Sequence, residues 1–170
     1  ILRSNQFCNL TEAVIRSTDN EASITEKVRV ATILGTIQST FTKFPYLRKI
    51  WAKNTEEERL LGVSLTGIMD NTLTSNPDPK FLERLRVVAV ETNKEWAEKL
   101  GIPQSTAITC VKPSGTVSQL VNAGSGIHAR HSPYYIRTVR GDVKDPLTSL
   151  MKDQGVPWEP EVFHPDSTVV

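Results

Sequence analysis

The run Lys112-Pro113-Ser114-Gly115-Thr116-Val117-Ser118 gathers a lysine, three hydroxyls and two turn residues between apolar stretches. Proline fixes φ and glycine frees it, so the chain turns here. Val117, Leu120 and Val121 then recur at helical spacing. A helix opening at this turn presents backbone N–H groups without intrahelical partners, and those donors, with the helix dipole, favour an anion such as phosphate. The same residues also fit a strand-to-helix corner in which Ser114 or Thr116 only caps the helix. A Walker-type loop is excluded, because no G-x-x-x-x-G-K-[ST] occurs in the chain. The remaining reactive groups are two thiols. Cys110 sits in the apolar run ahead of the turn and reads as packing. Cys8, in Phe7-Cys8-Asn9-Leu10, fits either a redox role or a buried structural cysteine.

These groups need elements to position them. Residues 107–111 are short, apolar and β-branched, the pattern of a strand buried on both faces. Residues 9–16 and 61–66 read as two more strands. Between those two, Ser23 and Glu26 form a capping box ahead of a helical stripe of Ile24, Val28, Ala31, Leu34, Ile37 and Phe41. Leu47, Ile50 and Trp51 suggest a short helix. The triplet Glu56-Glu57-Glu58 reads as the solvated first turn of another, not a metal site. Asp78 caps a longer helix, Pro79 opens it, and Phe81, Leu82, Leu85, Val88, Ala89 and Trp96 line it, with Gly101 and Pro103 closing it. Residues 134–139 read as a strand, residues 146–152 as a helix stopped by Gly155, and residues 168–170 as the opening of a further strand. Strands alternating with helices of this length predict βαβ units and a parallel sheet, hence an α/β fold.

Composition narrows the class. The 170 residues carry a net charge of +1 and are 38% hydrophobic, enough for a core and too balanced to argue for nucleic acid or a membrane surface as partner. No apolar run reaches the length of a spanning helix, no signal peptide opens the chain, and two cysteines make neither a disulfide framework nor a metal-ligand spacing. The expected compartment is cytoplasmic. Both ends lie in apolar sequence and no Met opens the chain, so residues 1–170 are expected to be one partial domain, truncated at both ends, with no second domain.

Several blocks, in order, carry a resemblance. They are Phe7-Cys8-Asn9-Leu10-Thr11-Glu12, the run from Glu56 to Asp70, the run from Ala107 to Val121 and Gly124-Ser125-Gly126-Ile127-His128-Ala129-Arg130, followed by Pro133 to Arg140. Together they resemble the catalytic barrel of ribonucleotide reductases, most nearly the adenosylcobalamin-dependent (class II) ribonucleoside-triphosphate branch. The resemblance implies part of a ten-stranded α/β barrel of the ribonucleotide reductase and glycyl radical type. It implies thiyl-radical conversion of ribonucleoside triphosphates to deoxyribonucleotides, with adenosylcobalamin as cofactor and a thioredoxin-type reductant as partner. It makes Cys8 one of a redox-active dithiol pair, since in that family a cysteine followed by Asn-Leu gives electrons to the ribose. It makes Pro113, Ser114, Gly115, Thr116, Val117 and Ser118 the substrate phosphate loop. The N-P-C-G-E block that bears the family's radical cysteine is absent, so the chain is not expected to be active alone. Alternatives are the large subunit of a metal-radical (class I) reductase, and a phosphate-binding α/β module without redox function. A tyrosine relay through Tyr134 and Tyr135 is rejected, because neighbours on a strand point to opposite faces. His128, Arg130, His131 and Arg137 read as a solvated basic cluster.

Overall fold

The strands β1 (Asn9–Val14) and β2 (Leu61–Thr66) pair in parallel, in register from Asn9 opposite Leu61 to Val14 opposite Thr66. Successive side chains on a strand point to opposite faces, so each strand offers one set to a core and one set to the other side. Ala13, Ile15, Leu61 and Val63 take the core side. They pack with Ile24, Val28 and Ala31 of α1 (Glu21–Gln38) and with Phe81, Leu85 and Ala89 of α4 (Pro79–Leu100). Between these lie α2 (Lys49–Glu58) and a single turn, α3 (Thr72–Ser75). Ile15 and Ile24 are fully buried and Leu61 nearly so; burial of a side chain of this size contributes about 1.5–3 kcal/mol.

The computed structural model describes residues 2–170, in two compact units, Ile1–Arg130 and His131–Val170. In the first, the segment after α4 returns to the free edge of β2. The Leu61 and Val63 amides donate to the Ala107 and Ile108 carbonyls, and the Cys110 amide donates to the Val63 carbonyl. Fully buried Asn93 of α4 holds this return: its Nδ2 donates to Thr36 Oγ1 and Ser105 Oγ, both at 3.0 Å, and its Oδ1 accepts the Ser105 amide. Strand order therefore follows chain order, and α1 and α4 share one core on one face of the sheet. That singly wound arrangement is the sense in which an α/β barrel is built.

The structure differs from the sequence expectation at several places, each for a local reason. The α1 cap is Asn20, whose side chain and that of Ser23 exchange capping bonds, so the helix starts three residues before the Ser23–Glu26 box would put it. Leu34 and Phe41 of the expected stripe are exposed. Glu56-Glu57-Glu58 ends α2 instead of opening a helix; Arg3 pairs with Glu57 and Glu58 there, which offsets the unfavourable dipole. Residues 107–111 make a single bridge, Val63 to Thr109, and no regular strand. The Ser64 hydroxyl accepts the Lys112 amide and ends the ladder. Only Ile108 of that run is buried, while Val111 is 75% exposed, so it is not a strand covered on both faces. Expectations for Asp78, Pro79 and Gly101 hold: Asp78 accepts the Lys80 amide and Gly101, at φ 66°, closes α4.

The second unit follows the short helix α5 (Thr116–Leu120) in the chain and contains β3 (Gly141–Asp142), α6 (Pro146–Asp153) and β4 (Thr168–Val169). β3 and β4 pair antiparallel, and Lys152 Nζ lies 3.7 Å from the Trp158 ring centroid. Buried Glu161 accepts the Phe163 and His164 amides. Residues 134–139 form no strand, with Tyr134 and Ile136 almost fully exposed. Their β-branched and aromatic content measures fit to a pleated, half-buried surface, and no such surface meets them here.

Candidate functional site

The face of the sheet opposite α1 and α4 carries the chemistry. Modelling a Cβ on Gly35 of α1 brings it to 3.2 Å from Leu61 and 3.6 Å from Thr11, which identifies the helical side. By alternation, Cys8, Leu10, Glu12, Gly62, Ser64 and Thr66 point the other way. The contacts agree. A Cβ on Gly62 would stand 3.2 Å from Cys8 Sγ, 3.1 Å from Cys110 Sγ and 2.4 Å from Leu10 Cδ2. Glycine inside a strand weakens it and marks a close approach; here the approach is by two sulfurs and a methyl.

Both sulfurs touch that one point, so they stand no more than about 6 Å apart. They are nevertheless separate thiols. They flank β2, and strands on either side of a third lie about 9.6 Å apart, beyond the about 7 Å that a disulfide spans between Cα atoms. Burial pushes the Cys8 thiol up, and the neighbouring Cys110 adds to the shift. Burial also raises Cys110, with Lys112 opposing. Both are therefore protonated at neutral pH and carry hydrogen as well as electrons.

Gly62→Ala tests this packing. The new methyl overlaps Leu10 and crowds both sulfurs, and overpacking of this kind costs about 1–3 kcal/mol. The thermal midpoint of the intact protein is expected to fall, and Cys8 to alkylate at a changed rate. An unchanged midpoint would show that this face yields freely.

The loop expected to hold phosphate lies on the same face. Gly115 is the N-cap of α5, and Gly115, Thr116 and Val117 are exposed. A Cβ on Gly115 would meet nothing within 4 Å. Among the described residues the amides of these three find no acceptor, as the opening of a helix dictates. Ser114 and Ser118, by contrast, are buried and already bonded, Ser118 within the loop and Ser114 both to the loop and to Glu12 of β1. Ser118 Oγ donates to the Gly115 carbonyl at 2.9 Å, and Ser114 Oγ accepts the Ser118 amide at 3.1 Å. The donors left for an anion are three amides and the Thr116 hydroxyl, with Pro113 setting the turn. Lys112 is paired and only partly exposed: its Nζ lies 2.6 Å from Glu12 Oε1. Of the basic cluster, Arg130 forks onto Asp70 at 3.0 Å.

Two residues escaped the sequence reading. Glu12 joins the loop to β1, and Gly62 makes room for the thiols. The signals were present, since Glu12 lies four residues from Cys8 at the even spacing that puts both on one side of an extended segment, and Gly62 interrupts the apolar strand run from Leu60 to Leu65.

On the helical side of the sheet, a groove of about 550 Å³ is lined by Val28 of α1, Leu82, Leu85 and Arg86 of α4, and Val63 and Leu65 of β2, with Cys110 also in its wall. No group of three or more His, Cys, Asp or Glu side chains among the described residues is placed to hold a metal ion, and no helix is long and apolar enough to cross a membrane.

The same arrangement of sequence occurs in known proteins. Over 95% of its length the chain is 29% identical to the adenosylcobalamin-dependent ribonucleoside-triphosphate reductase of Lactobacillus acidophilus, of which it covers 25%. It is 26% identical to the reductase of that name from Lactobacillus leichmannii, with 99% of the chain matching 26% of that protein. A probable adenosylcobalamin-dependent ribonucleoside-triphosphate reductase of Dictyostelium discoideum is 28% identical over 99% of the chain and 22% of its own length. A solved B-12 dependent (class II) ribonucleotide reductase superposes with a TM-score of 0.69 at 24% identity, over 99% of this chain and 27% of that one. No protein-family model matches. The chain thus resembles class II reductases over nearly its whole length and shares their α/β fold, and it spans about a quarter of the length of the relatives it matches.

Proposed function

We propose that this chain is the part of an adenosylcobalamin-dependent ribonucleoside-triphosphate reductase that holds the substrate's phosphates and gives one of the reducing thiols. One observation carries the proposal: Cys8 and the loop from Pro113 to Ser118 share one face of a parallel sheet, opposite its helices, although they lie far apart in sequence. A nucleotide held at the Gly115, Thr116 and Val117 amides lies along that face with its ribose toward the thiol. The similarity favours this reading over the metal-radical class, because the matching relatives bear the cobalamin-dependent name.

In this chemistry the ribose C2′–OH is replaced by C2′–H. Water leaves, and two thiols lose their hydrogens and close to a disulfide. Cys8 supplies one thiol. Cys110 is not its partner, since β2 separates them, so the second thiol comes from the remaining length of the enzyme. A thioredoxin-type dithiol restores the pair by exchange. Adenosylcobalamin, bound by the full enzyme, would supply the radical chemistry. Among the described residues no cluster of three or more metal-ligating side chains is present, so no part of the cofactor is placed on this chain. The work of this chain is to bind phosphate, orient the ribose and reduce.

The test is product formation. The intact protein, given adenosylcobalamin, a dithiol and each ribonucleoside triphosphate in turn, is expected to form the deoxynucleotide. No product from any triphosphate, with diphosphates converted instead, would reassign the substrate. Nucleotide binding without reduction of either would favour a module that only binds phosphate.

A further inference from the structure

Glu12 is a charged side chain on this face that the proposed chemistry leaves unused. It follows Cys8 by four residues on the same side of β1, about 13 Å further along the strand. Its side chain is only 7% exposed, and both oxygens are engaged. Oε1 lies 2.6 Å from Lys112 Nζ, and Oε2 accepts the Ser114 hydroxyl at 3.0 Å. Ser114 is itself buried and takes the Ser118 amide, so one hydroxyl connects the carboxylate to the first turn of α5.

For binding alone this carboxylate is out of place. It neutralises the only lysine of a loop proposed to hold phosphate, and it puts negative charge beside an anion. What it does supply is a mechanical link. The carboxylate rides on β1 and the thiol on the residue that leads into it, while the lysine and the serine ride on the loop. The Glu12 bonds set the distance and angle between them. We propose that Glu12 is a positioning residue, which ties the phosphate loop to the strand that Cys8 leads into so that a nucleotide anchored by its phosphates lays its ribose on the thiol. The proposal rests on the nucleotide reading of the loop given above.

The experiment reads position apart from affinity. In the intact protein, Cys8 is alkylated with iodoacetamide with and without saturating CTP, and the Cys8 peptide is quantified by mass spectrometry. CTP affinity is measured by calorimetric titration. In the unsubstituted protein, CTP is expected to slow Cys8 alkylation by about tenfold or more, as near-full occupancy allows. In Glu12→Ala, CTP binds as well or more tightly, yet protection of Cys8 is lost. Turnover then falls by about 100-fold with little change in KM, the signature of a misplaced but bound substrate. Glu12→Gln, which still accepts the Ser114 hydroxyl, restores most of the protection. If Glu12→Ala does not fold, Ser114→Ala cuts the same tether from the loop side and is expected to lose protection likewise. Full protection of Cys8 in Glu12→Ala, or in Ser114→Ala where that variant stands in, overturns the proposal. Failure of CTP to protect Cys8 in the unsubstituted protein instead overturns the nucleotide reading beneath it.

Discussion

Replacing Cys8 by serine in the intact enzyme is expected to lower steady-state turnover with an external dithiol by about a thousandfold or more. A hydroxyl can take the place of the sulfur, but it cannot be oxidised to a disulfide, so the two electrons needed at C2′ have no source. Binding of nucleotide and of adenosylcobalamin should persist, because Cys8 lies at neither the loop amides nor any site assigned to the cofactor. Cobalamin spectroscopy should still report cleavage of the cofactor, while the deoxynucleotide assay shows almost no product. Cys110→Ser is the internal control. Its sulfur is close to Cys8, yet β2 stands between the two backbones and no disulfide forms across it, so turnover should stay near normal. Full turnover by Cys8→Ser would reduce that cysteine to a packing residue, and loss of turnover in Cys110→Ser would put the second thiol here after all.

Gly115→Asp is expected to weaken CTP binding by roughly 100-fold or more, since two unit charges about 4 Å apart at a protein surface interact by about 4 kcal/mol before salt screening. The position isolates charge from sterics. Nothing lies within 4 Å of a Cβ there, and φ is −88°, outside the left-handed region, so the fold should tolerate a side chain. Gly115→Ala should therefore keep the thermal midpoint and lose far less affinity than the aspartate. Rising salt should reduce the difference between the two variants. Equal affinity of Gly115→Asp and the unsubstituted protein, by titration, would place the phosphates elsewhere.

Much of this protein was legible in its sequence because local rules govern those parts. Asp78, Pro79 and Gly101 mark the limits of α4 through bonds made within a few residues. Residues 61–66 form β2, a short and largely apolar segment of strand length between a helix end and a turn. The turn at Pro113 and Gly115 was likewise legible and α5 begins after it, although Gly115 sits at φ −88° and makes no use of glycine's left-handed freedom. The expected strand at residues 134–139 failed for the complementary reason. A strand is stable only through its neighbours, and its own composition does not say whether a neighbour is there.

The site itself was decided by tertiary structure. Sequence named Cys8 and the loop through a resemblance, but it gave no reason for them to meet. The parallel register of β1 and β2 turns Cys8 away from the helices, and the return of the chain along β2 brings Cys110 and the loop onto the same face. Only that closure shows that the Ser118 hydroxyl is spent within the loop, that Ser114 and Lys112 are both bonded to Glu12, and that Gly62 is small because two sulfurs and a leucine need its space. Contacts between residues distant in sequence are fixed by packing and register, and those are properties of the assembled sheet, not of any stretch of chain.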